Sequence, residues 1–109
     1  MDLIEIVIYS TNSGKEPYVV WENKLDLKTR ATMKNRLDRI RLGNFGDVKR
    51  IRGGEGVWEL RIDFGPGYRI YFGKQGTTIV VLLAGGTKRA QERDIERAKR
   101  YWIDCKGLK

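Results

Sequence analysis

The residues best suited to chemistry are four cations in the second half of the chain: Arg61, Arg69 and the adjacent pair Lys88 and Arg89. Arg61 and Arg69 lie on two segments of alternating polarity, Val57 to Phe64 and Tyr68 to Phe72, joined by Gly65-Pro66-Gly67. That pattern reads as a β-hairpin. On the first segment Trp58, Leu60, Ile62 and Phe64 share an apolar face, while Val57, Glu59, Arg61 and Asp63 share the other. On the second, Tyr68, Ile70 and Phe72 are the apolar face, which leaves Arg69 and Tyr71 on the polar one. A three-residue loop keeps like faces together: Phe64 opposes Tyr68, Ile62 opposes Ile70, Leu60 opposes Phe72, Asp63 opposes Arg69 and Arg61 opposes Tyr71. Arg61 and Arg69 then become diagonal neighbours, about 7 to 8 Å apart. Two guanidiniums at that spacing repel unless something negative joins them, and Asp63 or a bound anion fits the role. A cross-strand Asp63–Arg69 pair with Arg61 stacked over Tyr71 accounts for the same residues without any ligand.

The chain has no histidine and one cysteine, Cys105. Zinc, haem and iron–sulfur ligand sets are therefore out of reach, as are His-based catalytic triads, and no cofactor or metal is expected. The glycines follow neither a Walker nor a dinucleotide-binding pattern. Glu59, Asp63 and Tyr71 remain as proton carriers on the polar face. With reference pKa values of about 10 for Tyr and about 4 for Asp and Glu, none of these side-chain types ordinarily titrates near neutrality.

With 109 residues, 40% of them hydrophobic, the chain is expected to form a single domain over 1–109. No apolar run approaches a membrane span, and the N-terminus lacks the basic start of a signal peptide, so a cytoplasmic protein is expected. The net charge is +8, and it is uneven. Residues 28–56 carry nine Lys and Arg against three acids, and residues 87–109 carry eight against four, for +6 and +4. An anionic partner such as nucleic acid follows from that imbalance, without fixing the reaction.

These residues need elements to position them. Leu3 to Tyr9 reads as an inner strand, Tyr18 to Lys24 as a short helix after Pro17, and Asp26 to Leu42 as a longer helix with Met33, Leu37 and Ile40 on its core face. After Gly73 to Gly76, a turn, Thr78 to Leu83 is a near-continuous apolar run and is placed centrally, ended by a Gly85-Gly86 loop. From Thr87, a candidate N-cap, to Cys105 a helix presents Ile95, Ala98, Tyr101, Trp102 and Cys105 at helical spacing. The expected fold class is α+β: an antiparallel sheet of about four strands plus the N-terminal strand, two N-terminal helices and a C-terminal helix, with the helices against one face of the sheet.

Val57-Trp58-Glu59-Leu60-Arg61-Ile62, Gly65-Pro66-Gly67-Tyr68-Arg69-Ile70-Tyr71-Phe72 and Leu82 to Arg89 followed by Gln91, Asp94-Ile95 and Ala98 resemble the RelE/ParE toxin superfamily, and within it the HigB-like addiction module killer branch. Leu37-Asp38-Arg39-Ile40 and Gly43-Asn44 to Lys49 extend the likeness over nearly the whole chain. The resemblance implies a RelE-like fold in which a sheet face and the last helix form a concave basic site. It also implies a toxin of a type II toxin–antitoxin system, an mRNA interferase that cleaves message in the ribosomal A site and so inhibits translation. The implied partner is a cognate antitoxin of the HigA helix-turn-helix type; the +8 charge and the amphipathic last helix lead to the expectation that it covers the basic site, displaces the last helix, or does both. The family's functional arginines and Lys-Arg pair fall on Arg61, Arg69 and Lys88-Arg89. Glu59 stands where the family has a second lysine, a RelE tyrosine falls near Ile95, and the histidines of some HigB toxins are absent.

Cleavage by the ribose 2′-OH needs a proton acceptor, a proton donor and positive charge on the phosphorane. The catalytic set is accordingly Arg61, Arg69, Tyr71, Glu59 and Asp63, and the RNA-binding set is Lys49, Arg50, Arg52, Lys88, Arg89 and Gln91. A gyrase-binding toxin of the ParE kind, or a basic binding module without catalysis, are the alternatives.

Overall fold

A computed structural model describes residues 3–53 and 55–106. In chain order the elements are β1 (Glu5–Ile8), α1 (Pro17–Asn23), α2 (Leu27–Arg41), β2 (Val48–Arg50), β3 (Val57–Ile62), β4 (Tyr68–Gln75), β5 (Ile79–Thr87), a 3-10 turn (Lys88–Ala90) and α3 (Gln91–Cys105). The fold is α+β, as the alternation of periods suggests. Pro17 opens α1, where a missing N–H costs nothing, and the Asp26 side chain caps α2 by accepting from the Thr29 N–H at 2.7 Å. Met33, Leu37 and Ile40 are the buried face of α2.

The sheet has five strands in the order β1-β5-β4-β3-β2, and it is mixed: β1 runs parallel to β5, and the remaining pairs are antiparallel. The expected all-antiparallel sheet is corrected here, as is the inner placement of the first strand. β1 lies at the edge, where its alternate residues Ile4, Ile6 and Ile8 pack inward and Glu5 and Val7 are exposed. A short apolar run needs only one buried face, so it is compatible with an edge.

The helices do not share a face. α1 and α2 bury Tyr18, Met33, Leu37 and Ile40 against Leu60, Ile62, Ile70, Phe72, Val80 and Leu82. α3 packs on the opposite face, burying Ala98 and Trp102 against Val57, Tyr71, Val81 and Leu83. The face read as polar is thus largely covered. A bulge between Tyr71 and Phe72 of β4, where Leu83 of β5 is the extra residue, puts both Leu83 and Ala84 under α3.

Gly73, Gly85 and Gly86 lie inside strands rather than in the turn and loop expected of them. Each meets a side chain from a helix: a Cβ at Gly73 would overlap the Trp102 ring, one at Gly85 the Trp21 ring, and one at Gly86 the Asp94 carboxylate. Thr87 ends β5 and makes no side-chain cap, and the chain crosses from sheet to α3 through the 3-10 turn.

Candidate functional site

The β3–β4 hairpin turns through five residues, Asp63 to Gly67, and not through three. Ile62 pairs with Tyr68, Leu60 with Ile70 and Glu59 with Tyr71. Phe64 folds back beside Tyr68, ring centroids 6.5 Å apart, and its carbonyl accepts from the Gly67 N–H at 3.0 Å, which closes the turn early. The slip is two residues, so every side chain keeps its face while its partner changes. Arg61 now stands directly opposite Arg69, and Asp63 leaves the ladder for the exposed turn.

Directly opposed like charges destabilise a sheet unless a counter-charge joins them. Glu59, 1% exposed, is that counter-charge. Its Oε1 lies 3.3 Å from Arg61 Nε and its Oε2 3.9 Å from Arg69 Nε. Gln91, at the start of α3, donates from Nε2 to Glu59 Oε2 at 2.6 Å. Arg69 Nη1 also donates to the Tyr68 carbonyl at 3.1 Å. Arg69 is therefore held by its own strand, by β3 and, through Glu59, by the first turn of α3. Its side chain is 11% exposed, against 37% for Arg61.

Tyr71 is fully buried, opposite Glu59, and among the described residues its hydroxyl meets no partner in hydrogen-bonding geometry. Burial first, and then the nearby charges of Glu59 and Asp94, push its phenol well above the usual range. Asp94, also 1% exposed, sits on Gly86 and accepts from Arg97 Nη2 at 2.8 Å.

Outward from this buried group opens a hollow of about 350 Å³, lined by Asp47, Arg61, Asp63, Arg69, Lys88 and the Gly65 to Gly67 turn. The Lys88 N–H donates to the Gly67 carbonyl at 3.0 Å, which fastens the turn to the end of β5. Three cations from β3, β4 and the 3-10 turn thus converge on one concavity, and its acids, Asp47 and Asp63, are exposed. Forked donors of this kind can hold an anion by charge-assisted hydrogen bonds. Among the described residues no three Cys, Asp or Glu side chains come together as a metal-ligand set.

The structure brings together Arg61, Arg69 and Lys88, with Asp63 on the rim, and places Glu59 and Tyr71 behind them. Of the remaining basic candidates, Lys49 is exposed and opposite Glu59 on the same sheet face, whereas Arg50 pairs with Trp58 and belongs to the other face. Arg52 is exposed in the turn after β2, and Arg89 lies in a neighbouring hollow with Arg93. Gln91 is turned inward to Glu59. Asp94 was not singled out by spacing. Its signal was Gly86, a glycine inside a strand, which marks a close approach.

The profile of the family described as Phage derived protein Gp49-like (DUF891) matches residues 21–102, which span α2, the last four strands and α3 through Trp102. An "Uncharacterized protein" of Haemophilus influenzae (strain Rd) is 45% identical over 80 residues, covering 72% of this chain and 79% of the relative. The segment matched by the family profile contains Glu59, Arg61, Arg69, Lys88 and Gln91, the whole of the arginine group described above. The chain therefore belongs to the phage-derived Gp49-like family, one typically associated with RelE-like toxin–antitoxin modules.

Proposed function

We propose that this protein is the toxin of a type II toxin–antitoxin pair and that it acts as a ribosome-dependent mRNA endonuclease. The observation that carries the reading is the opposed pair Arg61 and Arg69, braced from behind by one buried carboxylate and open in front, beside Lys88, to a hollow of phosphate-accepting size. In the proposed reaction the ribose 2′-oxygen attacks the adjacent phosphorus, the P–O5′ bond breaks, and a 2′,3′-cyclic phosphate and a 5′-hydroxyl end result. The guanidiniums sit where charge grows on the phosphorane, and fixed donors of this kind are worth roughly 10²- to 10³-fold each.

Of the three proton carriers, Glu59 and Tyr71 are buried, Glu59 with its oxygens engaged and Tyr71 with its phenol held protonated. Glu59 acts in this reading as a positioning residue. Asp63 is the exposed acid on the rim. Little acid–base power remains in the chain itself, so substrate alignment by the ribosome carries much of the rate enhancement.

The antitoxin in this reading covers the arginine hollow and leaves α3 in place. Displacing α3 would expose Trp102, Ala98 and the apolar strand residues beneath them and would leave Gly73 and Gly86 uncovered. Charge complementarity calls for an acidic segment in the hollow. A helix-turn-helix antitoxin of the HigA type is what the resemblance suggests.

The test is digestion of one end-labelled mRNA, free and in a ribosome with an empty A site. Cleavage with cyclic phosphate ends on the ribosome alone is the expected result. Equal cleavage of free RNA overturns the ribosome requirement. No cleavage in either, with altered plasmid supercoiling in cells, moves the assignment to a gyrase-binding toxin.

A further inference from the structure

A second basic cleft lies at the edge of the sheet beyond the end of β1, where α1 on one face and α3 on the other flank Ala84 and Gly85 of β5. It has a volume of about 140 Å³, and Lys15, Trp21, Lys24, Arg97 and Tyr101 line it. Among the described residues that line it there is no Asp or Glu. Its aromatic walls are fixed from outside: Trp21 is tilted against Tyr18 and Tyr68, and Tyr101 stacks on Tyr9 with centroids 5.1 Å apart. Arg97 is held by Asp94 through Nη2, while its buried Nε has no hydrogen-bond partner among the described residues.

This cleft is not isolated from the arginine hollow. Gly85 lines the cleft, and the next residue along β5, Gly86, pairs with Arg69. Lys88, on the rim of the arginine hollow, is followed by Arg89, which shares a separate hollow of about 450 Å³ with Arg93 and Glu92. Arg93 and Arg97 are four residues apart in α3, one turn along the same face. Arg89, Arg93 and Arg97 thus make a cationic line about 12 Å long, from the arginine hollow to the Lys15 and Lys24 cleft. A backbone-tracking row of cations ending at aromatic walls is how single-stranded nucleic acid is held without sequence readout.

We infer that the α1–α3 cleft, reached from the arginine hollow along Arg89, Arg93 and Arg97, binds the sugar-phosphate backbone of single-stranded RNA flanking the segment held in the hollow. The inference rests on the reading that the hollow takes RNA. Lys15 and Lys24 take phosphates, Trp21 and Tyr101 offer stacking surface, and α3 supplies the track between the two sites.

Binding of a single-stranded RNA trinucleotide and of a dodecamer, each over a range of salt, tests the cleft separately from the hollow. The wild-type protein is compared with Arg69→Ala and with the triple variant Lys15→Gln, Lys24→Gln, Arg93→Gln. For single strands the salt slope falls by about 0.7 for each phosphate left without its cation. The triple variant should bind the trinucleotide as the wild type does, but its dodecamer slope should be shallower by about 2. Arg69→Ala should weaken both ligands. If the triple variant melts below the wild type, Lys15→Gln and Lys24→Gln made singly should each remove about 0.7 from the dodecamer slope. An unchanged dodecamer slope overturns the inference, and does so decisively if the same substitutions weaken an acidic protein partner instead. An Arg69→Ala variant that binds the trinucleotide as tightly as wild type overturns the reading of the hollow, and a shallower dodecamer slope in the triple variant would still locate a strand on α3.

Discussion

The two faces of the sheet are built on opposite plans from the same strands. Under α1 and α2, the fully buried residues of β3 and β4 are apolar: Leu60, Ile62, Ile70 and Phe72 meet Met33, Leu37 and Ile40, while the half-buried Lys74 of β4 rests its ammonium over the Phe45 and Trp58 rings. Under α3, apolar packing holds only half the face. Val57, Leu83, Ala98 and Trp102 fill one part, and Glu59, Arg69, Asp94 and Tyr71 are buried in the rest. Burying charge is costly even when it is paired, and an apolar replacement of such a group is often neutral or stabilising. The α3 face thus carries a buried ionic group that adds little to folding while its charges stay paired and costs much when one partner is removed. Adjacent residues on one strand serve different ends: Arg69 the site, Ile70 the core.

Substitutions that exchange or separate these two roles sharpen the contrast. The largest effect on stability is expected from Glu59→Ala, which strands Arg69 and the buried stem of Arg61 without a counter-charge, at a cost of about 3 to 5 kcal/mol. Chemical denaturation measures it. Glu59→Gln keeps the shape and a partner for Gln91, so it should cost less and instead lower cleavage by letting the two arginines part. Ile70→Ala leaves a cavity in the apolar face and should cost roughly 2 to 5 kcal/mol, with cleavage by the folded fraction unchanged.

The two faces also share a response to alkali. Burial is the first cause that raises the phenols of Tyr71, on the α3 face, and Tyr18, on the α1–α2 face. Because their folded-state pKa values lie above the unfolded one, the stability contributed by the neutral rings is complete below about pH 10 and is lost as pH rises further. Melting temperature should fall steeply above that pH, and a Tyr71→Phe variant should retain more of it. The smallest effect is expected at Asp63. Out of the ladder and exposed, it bridges no strand pair, so Asp63→Asn should leave the unfolding free energy within about 0.5 kcal/mol of wild type in chemical denaturation. A larger loss of stability would restore the Asp63–Arg69 cross-strand pair.

Much of this was legible from residue spacing. Met33, Leu37 and Ile40 declared the core face of α2, and the alternation through Val57 to Phe72 declared which residues of the hairpin face each way. The arginine pair could be named because the period of a strand is two, and a two-residue slip in the loop left both arginines on the same face. The slip itself was hidden, since Phe64 fits equally well as a last strand residue or as the first residue of the turn. What could not be read was where α3 lands. Ala98 and Trp102 show that the helix needs a surface, but a stripe on one helix does not say which face of a sheet receives it. For that reason the alternation places Glu59 on a polar face as a proton carrier, and its burial under α3 is legible only in the structure. The strand glycines Gly73 and Gly86 carried the missing information: a residue without a side chain in the middle of a strand reserves room for another, here Trp102 and Asp94.

The arginine that faces the site and its neighbour that faces the core give the most direct measurement. Arg69→Ala protein, shown by its melting curve to be folded, is added to ribosomes programmed with end-labelled mRNA, and the initial rate of cleavage is compared with that of wild type. The expected result is a rate lower by roughly 10²- to 10³-fold, because in the proposed reaction the guanidinium stabilises the phosphorane, with a smaller loss of stability than Glu59→Ala, since Glu59 keeps Arg61 and Gln91 and no apolar cavity opens. Wild-type cleavage by this variant would show that Arg69 is only a structural partner of Glu59 and would contradict the assignment of the hollow as the phosphate site.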